Sequence, residues 1–178
     1  MPCCLPAARL AFSVVFSNAL AQATQIVTGH LVGAGREDAA YKRVLKTLRT
    51  CLPVAIGIAT LNFLICPWTL KIFTPSTEVV PYVQKVLLVG IFLEIGRTTN
   101  LVIIGSMKAA GDVLFPVLMG LISMWGCGIF VGYTFGVALN LGIAGVFMGT
   151  AADECLRGAI MFIRWLGGKW RGKAIVKR

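Results

Sequence analysis

Two oppositely charged residues stand one helical turn apart in an apolar stretch of this sequence. Glu94 and Arg97 are three positions apart, so a helix would place both on the same face. A charge at the centre of a bilayer costs about 2.5–3.5 kcal/mol on insertion scales, and a mutual ion pair lowers that cost. Two interpretations stay open: Glu94 exchanges a proton or cation in a wet cavity, or the pair locks helix packing. Asn100, one turn beyond Arg97, would extend the polar face.

Amide side chains form a second polar pattern near the beginning of the chain. Asn18, Gln22 and Gln25 follow one another at spacings of four and three residues, and Gly29 comes four positions later. These spacings make one stripe along a helix. Such a stripe faces either a neighbouring helix or a water-filled cavity. We therefore take Asn18, Gln22, Gln25 and Asn100 as candidate cavity-lining residues.

A third pattern combines Asp153 and Arg157, four residues apart. Because they lie nearer the basic end of the chain, we interpret them as a structural charge pair. Nothing in the sequence resembles a nucleophile–base pair, a phosphate-binding loop or a cluster of metal ligands. We therefore expect no catalytic, cofactor or metal site and no enzyme activity. The six cysteines include no C-x-x-C pair and are interpreted as small buried apolar residues.

Long apolar segments must position these residues. The chain has 178 residues, of which 57% are hydrophobic and 13% charged, with a mean hydropathy of +0.83. These values exclude a typical soluble domain and a disordered chain. Since a spanning helix needs about 20 residues, the apolar segments predict an all-α membrane protein with five transmembrane helices. We place these helices at about 10–32, 52–72, 79–107, 114–137 and 143–166, after an atypical segment 1–9 and before a basic tail 167–178.

Small residues repeat in the fourth of these segments. Gly128, Gly132 and Gly136 recur at every fourth position. A row of small side chains lets helix backbones approach closely, so this pattern predicts a tight helix contact rather than a site.

The net charge of +10 is concentrated in two places. Five Lys and Arg fall between Arg36 and Arg49, which we interpret as the loop after the first span, and six fall between Arg164 and Arg178. Basic residues beside apolar spans are typical of the cytoplasmic side. We therefore expect no nucleic-acid partner and a multi-pass protein of the cell (inner) membrane with a cytoplasmic C-terminus. The stretch after Arg9 also imitates a signal peptide, but its apolar character continues past the apparent cleavage site.

Several motifs resemble those of one family of membrane transporters. The stretch Ala23–Gly35 (ATQIVTGHLVGAG) resembles the helix-to-loop signature of the multidrug and toxic compound extrusion (MATE) family. Gly105–Asp112 (GSMKAAGD) is similar to the other recurrent turn of that family, and the run from Ser123 to Trp170 is similar to its last two helices. The resemblance extends from about Leu10 to Trp170, and the order and spacing of these motifs together make it specific.

The resemblance implies two six-helix bundles around a cavity with alternating access, which exchange drugs or organic cations for protons or sodium. It also implies that this chain is a C-terminal portion, helices eight to twelve. Its partners would be the lipid bilayer, the small-molecule substrate and the missing N-terminal bundle, and it would need no cofactor besides the coupling ion, H+ or Na+. Arg97 stands about where some sodium-linked members carry an acid, which argues against sodium coupling and favours either proton coupling through Glu94 or a structural pair. The alternative is a non-transporting membrane subunit or an inactive truncation product, since alternating access requires two bundles.

Overall fold

Five long helices make up the computed structural model of the chain, which describes residues 4–73 and 79–173 and places side chains at 14–66, 68 and 83–173. The helices are α1 (Cys4–Gly33), α2 (Glu37–Phe73), α3 (Val79–Ala109), α4 (Leu114–Ala138) and α5 (Gly142–Leu166). No strand occurs in these described ranges. The predicted all-α fold is confirmed. Residues 1–3 of the predicted N-terminal segment, residues 74–78, and residues 174–178 of the predicted tail lie outside the described residues.

Three helices in the described part of the chain are long and apolar enough to cross a membrane. They are Glu37–Cys66, Val83–Ala109 and Leu114–Ala138. The helix α5 has sufficient length but carries four charged side chains, namely Asp153, Glu154, Arg157 and Arg164. The described part of α1 contains the amide stripe. The polar patterns found in the sequence therefore lie on α1, α3 and α5.

The basic stretch is helical from Glu37 onward, which corrects its assignment to a loop. Ala40, Val44 and Leu48 recur at every fourth position in α2 and are buried. Four basic side chains on the other faces are exposed: Lys42, Arg43, Lys46 and Arg49. Two acidic residues in the first turn complement the helix dipole. The stretch is thus an amphipathic extension of the second span. Its high charge density suggested a loop, although its apolar residues recur with the period of a helix.

The helix α3 occupies the centre of the fold and packs against α1, α2 and α5, whereas α4 packs mainly against α5. Apolar side chains from these helices form one buried cluster. Its larger members are Leu48, Val102, Ile103, Met107, Met161, Trp165 and Trp170. Because α3 contacts three helices, several of its polar residues are buried against helix neighbours, among them Glu94, Thr98 and Asn100.

The helices α4 and α5 approach each other through glycines. Two π-helical turns, Met124–Ile129 and Thr134–Ala138, lie in this part of α4. A Cβ added to Gly149 of α5 would lie 2.5 Å from the Cα of Gly132, and one added to Gly145 would lie 2.4 Å from the carbonyl carbon of Phe135. The close approach predicted from the α4 glycine row is therefore confirmed. In this contact, the glycines at which backbone atoms leave no space for a side chain are Gly145 and Gly149 of α5.

Candidate functional site

Glu94 lies at the crossing of α3 with α1 and is 1% exposed. The hydroxyl of Ser17 on α1 donates a hydrogen bond to its Oε1 at 2.5 Å and lies 3.1 Å from the hydroxyl of Thr98. The second oxygen, Oε2, lies 3.8 Å from Nη1 of Arg97 and accepts no hydrogen bond from the described residues. Glu94 is thus fixed to α1 through one oxygen and faces its counter-ion with the other.

This arrangement can hold the carboxyl group in either protonation state. As a carboxylate, Glu94 accepts the Ser17 hydrogen bond and attracts Arg97. As a neutral acid it can carry its proton on Oε2, where no other donor is bound. Because the attraction to Arg97 exists only in the charged state, protonation would change the force between two side chains at a helix crossing.

A second buried network connects α3, α4 and α5. Asp153 on α5 accepts hydrogen bonds from Ser123 on α4 and from Arg157 on its own helix. Its neighbour Glu154 accepts a hydrogen bond at 2.7 Å from Nδ2 of Asn100 on α3. Asn100 therefore lies between two helices and does not extend the groove described below. Sequence reasoning singled out neither Ser123 nor Glu154.

The amide stripe of α1 borders an open groove of about 920 Å3. Gln22 and Gln25 are exposed there, and Asn18 lies one turn away, half-buried. The face of α1 that packs on the bundle instead carries Ser17, Ala21 and hydroxyls such as Thr28. The two amides thus face a space outside this bundle. The described residues that line the groove are Gln22, Gln25, Ile26, Gly29, His30, Gly33 and Ala109.

Asp112, in the turn between α3 and α4, binds two cations from the end of the chain. It is 3% exposed and accepts hydrogen bonds from Nε of Arg164 at 2.8 Å and from Nζ of Lys173 at 2.7 Å. Burial raises the pKa of Asp112, but the hydrogen bonds and charges of the two cations outweigh it and hold the pKa below its ordinary value. Arg171 also pairs with Asp38 of α2 at 2.9 Å. The start of α2, the α3–α4 turn and the C-terminal segment therefore meet at one end of the bundle.

Aromatic stacking holds the C-terminal segment at the same end. The buried ring of Trp170 lies 4.2 Å from that of Trp165, with 5° between their planes. Its indole nitrogen donates a hydrogen bond to the carbonyl oxygen of Trp165. Trp165 in turn stacks on Tyr41 of α2 at 6.4 Å. Residues 167–173 thus fold back onto the helix ends.

Comparison with known proteins identifies the family. A family model described as MatE matches residues 7–134, which is more than half of the chain. The chain belongs to the MATE family. MATE proteins are membrane proteins, and the resemblance found in the sequence motifs is confirmed.

Relatives of this MATE chain are bacterial. It is 38% identical over 164 residues to an uncharacterized transporter, YisQ, of Bacillus subtilis, an alignment that covers 92% of this chain and 36% of the relative. It is 24% identical over 173 residues to a probable multidrug resistance protein NorM of Thermotoga maritima, covering 95% of this chain and 36% of the relative. A NorM protein of Idiomarina loihiensis, also named as a probable multidrug resistance protein, is 21% identical over 153 residues, or 82% of this chain and 32% of the relative. The chain thus spans about a third of the length of the curated relatives it matches, and no solved structure matches it.

Proposed function

We propose that this chain is the C-terminal part of a two-bundle exporter that moves drugs or organic cations out of the cell in exchange for protons. Two relatives are named as probable multidrug resistance proteins, which supports this substrate class. Alternating access requires two units that move against each other. The N-terminal bundle is therefore a required partner for transport.

The buried carboxyl group of Glu94 is the observation that carries the proposal of proton coupling. Ionisable residues inside membrane helices typically mark ion or proton pathways. A proton on Glu94 would remove its attraction to Arg97, 3.8 Å away, and leave the guanidinium free to attract other groups. An antiporter needs such a group, whose protonation changes the relative stability of two access states.

Ser17 connects this carboxyl group to the helix that carries the amide groove. Its hydroxyl binds Glu94, and Gln22 and Gln25 follow on the same helix, where they border the groove. Amide oxygens accept hydrogen bonds from protonated amines without adding a fixed charge. We therefore place contacts with an organic cation at these two amides, and the proton site within reach of the same helix.

We place the chain in the cell (inner) membrane with its basic end in the cytoplasm. The basic segments that begin α2 and follow α5 meet at one end of the bundle, and the cytoplasmic side is the side on which positive charge accumulates. Lipid is the partner for the apolar surface of α4, where Leu114, Trp125 and Phe130 are largely exposed.

Transport in proteoliposomes tests the proposal. The chain is reconstituted together with the part of its Bacillus subtilis relative that the alignment leaves uncovered, and uptake of a fluorescent organic cation is driven by an imposed proton gradient. We expect proton-driven flux that is lost in Glu94→Gln and kept in the matched control Asp38→Asn, which neutralises an exposed carboxylate. Unchanged proton dependence in Glu94→Gln would remove Glu94 from coupling. Flux that follows a sodium gradient, or no flux at all, would contradict the proposal as a whole.

A further inference from the structure

The network around Glu154 carries one more negative charge than positive charge. Arg157 is the sole cation within 4.0 Å of Asp153 and Glu154 among the described residues; it donates to Asp153 and lies 4.0 Å from Oε1 of Glu154. Glu94 and Arg97, by contrast, balance each other. All three side chains of the network are mostly buried, and an uncompensated charge inside a membrane is costly. The network therefore lacks one positive charge.

Asn100 shows where that charge would fit. It is 3% exposed, and its Nδ2 donates to Oε2 of Glu154, while its Oδ1 is buried and accepts no hydrogen bond from the described residues. An acceptor left unpaired in the interior destabilises the structure. A neutral carboxyl group has one O–H donor besides its acceptor oxygen. With a proton on Oε1, Glu154 can donate to Oδ1 of Asn100 while Oε2 still accepts from Nδ2.

We propose that Glu154 is a proton-binding site, distinct from Glu94, whose neutral acid forms two hydrogen bonds with the amide of Asn100. The proton comes from water and converts the carboxylate to the acid, so the charge of the network with Asp153 and Arg157 becomes zero. Protonation also adds a hydrogen bond between α3 and α5. The state of Glu154 thus sets how firmly these two helices are joined.

The surroundings favour a proton over a metal cation. An N–H donor already occupies one carboxylate oxygen of Glu154, and no group of three His, Cys, Asp or Glu side chains suited to a metal occurs in the described part of the chain. The helices with the main contacts to α5 are α3 and α4. Arg97 on α3 pairs with Glu94, and α4 carries no Asp, Glu, Lys, Arg or His. Among the residues whose side chains are described, the titratable or charged groups on these helices besides Glu154 itself are Lys85, Glu94, Arg97 and Lys108 on α3, Cys127 and Tyr133 on α4, and Asp153, Cys155, Arg157 and Arg164 on α5.

Infrared spectroscopy of the purified full chain in detergent tests this site without measuring transport. The proposal rests on the membrane placement above but not on antiport, so its failure and a failure of transport are separate results. As the pH is lowered, the spectrum of the wild type minus that of Glu154→Gln should show the carbonyl band of one neutral acid. This band should move in Asn100→Leu, which removes its hydrogen-bond partner. The difference spectrum between the wild type and Asp38→Asn serves as the reference, because it gives the band position and the pH range of an exposed carboxyl group.

Three results would overturn the assignment. One is a Glu154 band that matches the Asp38 band in position and pH range, and another is a band that Asn100→Leu does not move. The third is removal of the band by sodium at constant pH, which would make the site a cation site. If Glu154→Gln does not fold, Glu154→Asp replaces it in the experiment. This variant keeps the carboxyl group on a side chain that is shorter by one methylene. That variant should displace the band, and an unmoved band would contradict the proposal.

Discussion

Two glycines face each other in one helix contact, and replacing each of them by alanine should change the stability of the protein differently. Gly132 of α4 faces Gly149 of α5. A Cβ on Gly149 would lie 2.5 Å from both the Cα and the nitrogen of Gly132, and 2.7 Å from the carbonyl oxygen of Gly128. A Cβ on Gly132 would meet nothing closer than 3.9 Å. Because the obstructing atoms belong to the backbone, no side-chain rotation can relieve the clash in Gly149→Ala.

The size of the expected stability difference follows from how far the 2.5 Å contact is below an ordinary van der Waals distance. Non-bonded carbon atoms rest at about 3.5–4.0 Å, so α4 and α5 would have to separate by about 1 Å. Forcing extra volume into a packed contact costs about 1–3 kcal/mol. Both substitutions also gain about 1 kcal/mol of helix propensity, which cancels between them. Gly149→Ala should therefore be less stable than Gly132→Ala by about 1–3 kcal/mol, and Gly132→Ala should be at least as stable as the wild type.

Thermal unfolding of the purified chains in one detergent, followed by circular dichroism, measures this difference. Gly57→Ala on α2 is the control for propensity alone, since its Cβ would meet no atom within 4 Å. We expect Gly57→Ala and Gly132→Ala to shift the midpoint alike and Gly149→Ala to lower it relative to both. Equal midpoints for Gly132→Ala and Gly149→Ala would refute the reasoning, because they would mean that the two backbones do not touch at this pair.

Three further predictions concern the basic end of the bundle. Asp112→Asn should lower the free energy of unfolding by about 1.5–3 kcal/mol through the loss of charged hydrogen bonds. The exposed pair broken by Asp38→Asn should contribute at most about 1 kcal/mol, and denaturant unfolding compares the two. Since the pKa of Asp112 in the folded chain is held below 3.8, its stabilisation should be complete above that pH and disappear as the pH falls below it. An unfolding difference between the wild type and Asp112→Asn that stays constant on acidification would contradict this. Trp170→Ala should cost about 3–5 kcal/mol because its ring is buried in a stack. Trp68→Ala, at a ring that is 79% exposed, should change the stability by no more than about 0.5 kcal/mol, and thermal unfolding distinguishes the two.

The helices were predictable because apolar length is a local property of the sequence. The extension of α2 was not predicted, because charge density in 36–49 suggested a loop. The informative signal was the four-residue spacing of Ala40, Val44 and Leu48, which places one apolar face on the core. Periodicity is therefore a better guide than charge at the aqueous end of a membrane helix.

The members of the buried networks were only partly predictable. The contact between Glu94 and Arg97 follows from their spacing within one helix. Ser17 gave no signal, because a hydroxyl in a membrane helix commonly binds the carbonyl of its own preceding turn, as Thr24 does with Leu20. The sequence did not predict that Glu154, rather than the adjacent Asp153, binds Asn100, because only the position of α3 determines which of the two carboxylates meets Asn100.

The distribution of polar residues argues for more than a packing role. The helices α1 and α5 are linked to α3 through Glu94 and Glu154, and α5 carries four charged side chains. Glycine contacts already join α5 to α4 at the distance of touching backbones. Charged residues add an insertion cost of about 2.5–3.5 kcal/mol each, which apolar side chains in the same contacts would avoid. A helix pair held by packing alone does not require that cost, whereas the proton sites proposed at Glu94 and Glu154 would require it.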